Sequence, residues 1–149
     1  MVNHRIYYLF KMCGIAGCYF PDDSPDLSLL EGMSGCMTHR GPDDSGIHID
    51  GPVGIAHRRL SIVDLESGGQ PIFNEDGSIS IVFNGEIYNH QSLKSHLRTN
   101  GHTFSTDTDT EVIVHLYEEC GLEFVKRLEG MFAFAIWDAS EERLILARD

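Results

Sequence analysis

A chain of 149 residues, 42% hydrophobic and 23% charged, is long enough to bury one sizeable core and reads as one domain. Its formal net charge of -12 sets up a field that repels phosphate backbones and anionic lipid. Nucleic acid and membrane surfaces are therefore excluded as natural partners, and a small soluble substrate is favoured.

The opening MVNHRIYYLFK carries an apolar run, Ile6 to Phe10, too short for a secretion signal or a membrane span. A cytoplasmic location follows, with Cys13, Cys18, Cys36 and Cys120 as free thiols. CGIAGCYF (13–20) reads as a strand, closed by the turn-rich PDDSPD. Asp26 can cap a helix whose apolar positions Leu29, Leu30, Met33 and Met37 recur at helical spacing. After the loop HRGPDDSG, strands at 46–50 and 53–58 are joined through Asp50-Gly51, a favourable hairpin pair. SISIVFNG (78–85) is a further strand rich in β-branched residues.

Asn89 can cap a helix that runs to Thr99 and stops at Asn100-Gly101. Thr108 and Glu111 have the spacing of a capping box at the head of a helix. Its apolar stripe is Val112, Ile113, Leu116, Tyr117 and Cys120, and Gly121 ends it. MFAFAIWD (131–138) and RLILARD (143–149) are strands joined by ASEE. Their nearly continuous apolar character calls for a sheet covered on both faces, with helices packed outside paired sheets. No two cysteines have CxxC spacing, and the eight histidines do not fall at zinc-like intervals from Cys or Glu, so no metal is expected.

Cys13 directly follows a methionine. If it were the first residue of the mature chain, its α-amine, with a pKa near 7.7–8.0, could act as general base for its own thiol. A thiolate attacking an amide generates an oxyanion that needs preorganised donors. Asn84 offers a side-chain NH₂, and Gly85, without a Cβ, a backbone N–H that a ligand can approach closely. An amino-acid substrate would also need a guanidinium for its carboxylate, supplied by Arg58 or Arg59, only one of which can point into a given pocket. It would need a carboxylate for its ammonium, and Asp109 is a candidate.

The strings MCGIAG, HRGPDDSG, AHRRLSIVD, QPIFN, FNGEIYNH, TDTEVI and LEGMFAFAIWD, in this order over residues 12–149, closely resemble the glutaminase domains of glutamine-hydrolysing asparagine synthetases, one branch of the class II glutamine amidotransferases. The resemblance implies an α+β, αββα sandwich of two antiparallel sheets, the N-terminal nucleophile hydrolase fold. It implies Cys13 as the nucleophile that forms a glutamyl thioester and releases ammonia. Asn84 and Gly85 match the oxyanion hole, Arg59 the carboxylate ligand, Glu86 and Asp109 the grip on the α-amino group, and the backbone of Ile62 and Val63 the pocket wall. The implied partners are glutamine, a synthetase domain that receives the ammonia, and, as an open alternative, a second copy of the chain in a homodimer. ATP and Mg²⁺ would serve that synthetase domain, where aspartate becomes asparagine, and no cofactor is expected in this chain.

Two departures from the family remain. VNHRIYYLFK (2–11) matches nothing in it, and residues 1–12 read as an extension or a misplaced start, with 13–149 as a shortened amidotransferase domain. The synthetase part, with its SGG-type pyrophosphate loop, has no counterpart, since ESGGQP (66–71) falls at a family loop and reads as a turn. A non-catalytic fragment and a glutaminase serving another acceptor therefore stay open as alternatives.

Overall fold

The computed structural model describes residues 12–60 and 69–149. Strands β1 (Gly14–Tyr19), β2 (Asp44–Asp50) and β3 (Val53–Arg59) form one antiparallel sheet in the order β1-β3-β2. Strands β4 (Ile72–Phe73), β5 (Ile79–Ile87), β6 (Gly130–Asp138) and β7 (Arg143–Arg148) form a second, also antiparallel and ordered β4-β5-β6-β7. Helix α1 (Leu27–Cys36) follows β1, while α2 (His90–Thr99) and α3 (Asp109–Cys120) lie between β5 and β6 in the chain.

The period-two geometry of β5 and β6 builds the layers. On β5, Ile79, Ile81, Phe83 and Ile87 face one way, joined by Phe132, Phe134 and Ile136 of β6; against them pack Leu93 and Leu97 of α2 and Val112, Ile113 and Leu116 of α3. The intervening Val82, Ala135 and Trp137 face the other way and meet Val53 and Ile55 of β3. Both faces of this sheet are thus buried, which is why its central strands are apolar almost throughout. On the outer side of the three-stranded sheet, Leu30 of α1 is fully buried over Gly54, where a Cβ would lie 2.5 Å from the leucine Cδ1. The order helix, sheet, sheet, helix is the αββα sandwich expected from the sequence.

Polar ties also cross the layers. The Trp137 indole donates to Asp50 Oδ2 at 2.8 Å, bridging the sheets. The Tyr117 hydroxyl donates to Asp138 Oδ2 at 2.7 Å and fastens α3 to β6. Burial, reinforced by that carboxylate, pushes the Tyr117 pKa up to about 12.

Most expected elements fall within a residue or two of their observed bounds, but three details differ. Asp26 caps α1 as expected, its Oδ1 accepting from Ser28 N at 2.9 Å. Asn89 makes no side-chain cap to α2; its amide donates to Arg127 O and accepts from Glu129 N, tying the head of α2 to the approach of β6. The capping box at α3 does not form either, since Thr108 makes no side-chain cap bond. Glu111 instead accepts from the N–H and hydroxyl of both Ser105 and Thr106. Burial alone would raise its pKa, but these donors outweigh it and hold the carboxyl below the ordinary glutamate range. Beyond Gly121 the chain continues as a 3₁₀ segment (Gly121–Arg127) that buries Phe124, a feature the sequence pattern did not signal.

Candidate active site

Cys13 precedes β1, so its position is fixed by the strand that follows it and by α1. Arg40 Nε donates to the Cys13 carbonyl at 3.2 Å, and the Leu60 N–H points at Cys13 Sγ at 3.5 Å. The residue is half-buried, whereas Met12 before it is exposed.

The end of β3 delivers Arg59 to the same place. Its neighbour Arg58 turns away and donates from Nη2 to Thr38 Oγ1 at 2.6 Å. The alternation of a strand thus separates the two guanidiniums, and Arg59 is the one that lines the cavity holding Cys13.

The opposite wall comes from β5 and the head of α3. Asn84, Gly85 and Glu86 follow the apolar core residues of β5. A Cβ on Gly85 would stand 2.2 Å from Met131 O and 2.7 Å from Phe132 Cα, so only glycine permits the β5–β6 pairing at this register. Asp109 opens α3, and its Oδ2 accepts from the Ile87 N–H at 2.8 Å, which fixes the carboxylate across the cavity. Lys94, buried in α2, donates to Thr106 O and to Asp107 Oδ1 and braces the loop before α3.

The resulting cavity has a volume of about 520 Å³, within the range typical of small-molecule sites. Cys13, Arg59, Asn84, Gly85, Glu86 and Asp109 all line it. Ile62 and Val63, expected as pocket wall, lie outside the described residues, as do residues 1–11 and the first half of ESGGQP. The wall also includes Gln70, His90 and Thr108, to which the sequence reading gave no role in a site. Gln70 stands out among them, since its Oε1 accepts from the Phe83 N–H at 2.6 Å and so anchors the loop before β4 to β5. The only signal for it was the string QPIFN.

Beneath Arg59 on β3, His57 is almost fully buried. Desolvation drives its pKa down to about 4, against the opposing effect of a bond to the Phe83 backbone, so the ring is neutral near pH 7.

A thiol, an arginine and convergent acidic and amide groups thus line one cleft between two helix-covered sheets. The glutamine amidotransferase domain model matches residues 12–149, and the chain belongs to that family. It is 49% identical over 142 residues to an asparagine synthetase [glutamine-hydrolyzing] of Bacillus subtilis, covering 93% of this chain and 19% of that protein. An Arabidopsis thaliana asparagine synthetase [glutamine-hydrolyzing] is 48% identical over 141 residues, covering 93% and 24%. The chain thus spans about a fifth to a quarter of the length of these relatives. Among solved structures, glutamine phosphoribosylpyrophosphate amidotransferase from B. subtilis, complexed with ADP and GMP, aligns with a TM-score of 0.55 and 31% identity over 68% of this chain and 24% of that one. The architecture is that of the N-terminal nucleophile amidotransferases.

Proposed function

We propose that this domain hydrolyses the side-chain amide of glutamine, with Cys13 as nucleophile and its own α-amine as general base. The observation that carries this reading is the convergence of Cys13, Arg59, Asn84, Gly85, Glu86 and Asp109 on one cavity from the approach to β1 and from β3, β5 and α3. The thiol proton passes to the α-amine as sulfur attacks the amide carbon, and the oxyanion is received by Asn84 Nδ2 and the Gly85 N–H. Collapse of the adduct breaks the C–N bond, the α-ammonium returns the proton to the leaving nitrogen, and ammonia departs from a glutamyl thioester. Water then cleaves the thioester to glutamate and restores the thiol. Arg59 binds the substrate carboxylate as a bidentate pair, and Glu86 and Asp109 bind its ammonium. Asp109 suits this role because the Ile87 N–H occupies only one of its two oxygens.

This chemistry requires the Cys13 nitrogen to be a free amine, so the active form begins at Cys13, and the exposure of Met12 leaves the preceding peptide bond accessible. Likeness to asparagine synthetases supports aspartate as the final acceptor, amidated with ATP and Mg²⁺ in a synthetase domain and not in this chain. Four free cysteines favour a reducing compartment, the cytoplasm, and no helix among the described residues is long and apolar enough to cross a membrane.

The test is glutamine hydrolysis by the chain beginning at Cys13, with ammonia measured directly. Cys13→Ala should lower turnover by ~10⁴-fold or more while leaving the far-UV CD spectrum unchanged. A glutamine analogue bearing an alkylating group should add its mass to Cys13 alone. Undiminished hydrolysis by Cys13→Ala, or equal turnover with Met12 still attached, would overturn the mechanism.

A further inference from the structure

At the end of α3 remote from the cysteine cavity, three segments meet. Glu75 comes from the β4–β5 loop, His102 from the loop after α2, and His115 and Glu118 from one face of α3. Each offers one ligand atom, and the four atoms lie within 4.8 Å of one another. His115 Nδ1 stands 3.0 Å from Glu118 Oε2 and 3.4 Å from Glu75 Oε2. His102 Nδ1 stands 3.8 Å from Glu118 Oε2 and 3.8 Å from Glu75 Oε1. In a tetrahedral zinc site with bonds of 2.0–2.2 Å, ligand atoms sit roughly 3.4 Å apart. Only small side-chain adjustments separate the observed group from that geometry.

The surroundings of the four groups are those of a built site. Glu118 Oε1 accepts from Asn74 Nδ2 at 2.9 Å, which orients the carboxylate and leaves Oε2 facing inward. Glu75 Oε1 accepts from the Thr103 N–H at 3.0 Å. His115 is 1% exposed, and Phe104 closes over it edge to face with ring centroids 4.6 Å apart. Its Nε2 is buried without a hydrogen-bond partner and lies 3.7 Å from Glu111 Oε1. If Nδ1 carries the ring's single proton toward Glu118, the Nε2 lone pair is left facing a carboxylate with nothing to accept. A metal on Nδ1 reverses this, placing the proton on Nε2 toward Glu111 in a carboxylate–histidine–metal relation. The competing arrangement is an imidazolium enclosed by Glu75, Glu111 and Glu118 with no metal.

We propose that Glu75, His102, His115 and Glu118 form a binding site for a divalent first-row transition metal of the zinc class. Two imidazoles with two carboxylates suit zinc or cobalt, whereas magnesium and calcium favour all-oxygen shells. The ion joins the β4–β5 loop, the loop after α2, and α3 itself, and it is structural: from Asp109 to His115 a helix rises roughly 9 Å, so the site is separate from the glutamine cavity. Sequence spacing argued against a metal because only His115 and Glu118 are neighbours along the chain.

The experiment uses the full 149-residue chain carrying Cys13→Ser, which removes a competing thiolate, titrated with zinc chloride and, for its spectrum, with cobalt chloride. One equivalent should bind with a micromolar Kd or tighter. Zinc at about a hundredfold excess over Kd should raise Tm by ~5 °C or more. Cobalt should give tetrahedral visible bands without a thiolate charge-transfer band. His102→Ala, at a partly exposed loop position, and Glu118→Gln should each weaken binding at least ~10-fold. Three results would each overturn the proposal: no stabilisation by zinc, stabilisation that survives both substitutions, or a cobalt spectrum dominated by thiolate. The first of these would leave the imidazolium cluster as the correct description.

Discussion

The two ends of α3 carry different chemistry and reveal it differently. At its N-terminus Asp109 reaches into the cysteine cavity beside Glu86, within a wall built from contiguous stretches of chain. Toward its C-terminus His115 and Glu118 join Glu75 and His102, which come from elsewhere in the chain. The first end is assembled from short strings in which each residue keeps a fixed place relative to a strand end or helix start. The second exists only once loops distant in sequence have been brought together.

Substitutions can separate the two ends. After Cys13→Ala, the largest effect is expected from Asn84→Ala, which removes one oxyanion donor and should lower kcat for glutamine by ~10²–10³-fold with little change in KM. Zinc stabilisation should be untouched in this variant. A comparable change in both readouts would mean that the ends are coupled through α3.

Next comes acid sensitivity on the side of the cysteine cavity. His57 has a folded pKa near 4, below its unfolded value, so between these limits the unfolded chain binds the extra proton. Stability should therefore be intact above about pH 6.5 and fall by about 3 kcal/mol as pH drops toward 4. Urea unfolding across this range measures it, and His57→Gln should flatten the slope. An unchanged slope would place the proton uptake elsewhere.

The smallest effect is expected at Glu111, between the two ends. Glu111→Gln weakens the clasp on Ser105 and Thr106, a loss of about 2 kcal/mol at pH 7. Because the folded pKa is lowered, this contribution persists above the ordinary glutamate range and disappears as pH falls through the folded value. The variant and the parent should thus converge in strongly acidic solution, and a gap that persists there would show that the loss is steric.

Local chemistry explains what could be read from the sequence. Strands β5 and β6 announce themselves through β-branched and aromatic residues, and their unbroken apolar character correctly implied two covered faces. Of the residues that line the cavity, Cys13, Asn84, Gly85 and Asp109 could be named from their local chemistry, whereas the choice of Arg59 over Arg58 and the place of Glu86 came only from the family resemblance. Thr108 and Asn89 were misread as caps because capping motifs compete with tertiary partners: the Ser105–Thr106 loop claims Glu111, and the approach to β6 claims Asn89. The two-residue β4 and the 3₁₀ segment are too short to impose a period on the sequence. Gln70 acts through a bond to β5 that no pattern could forecast.

The cross-sheet bond from Trp137 to Asp50 has a practical consequence. Trp137 is the sole tryptophan of the chain, and it sits 3% exposed at the seam between the two sheets. Intrinsic emission therefore acts as a built-in gauge of whether the layers remain in register. Excitation of this indole would follow delamination of the sandwich even where circular dichroism, dominated by helices on the far side, registers nothing.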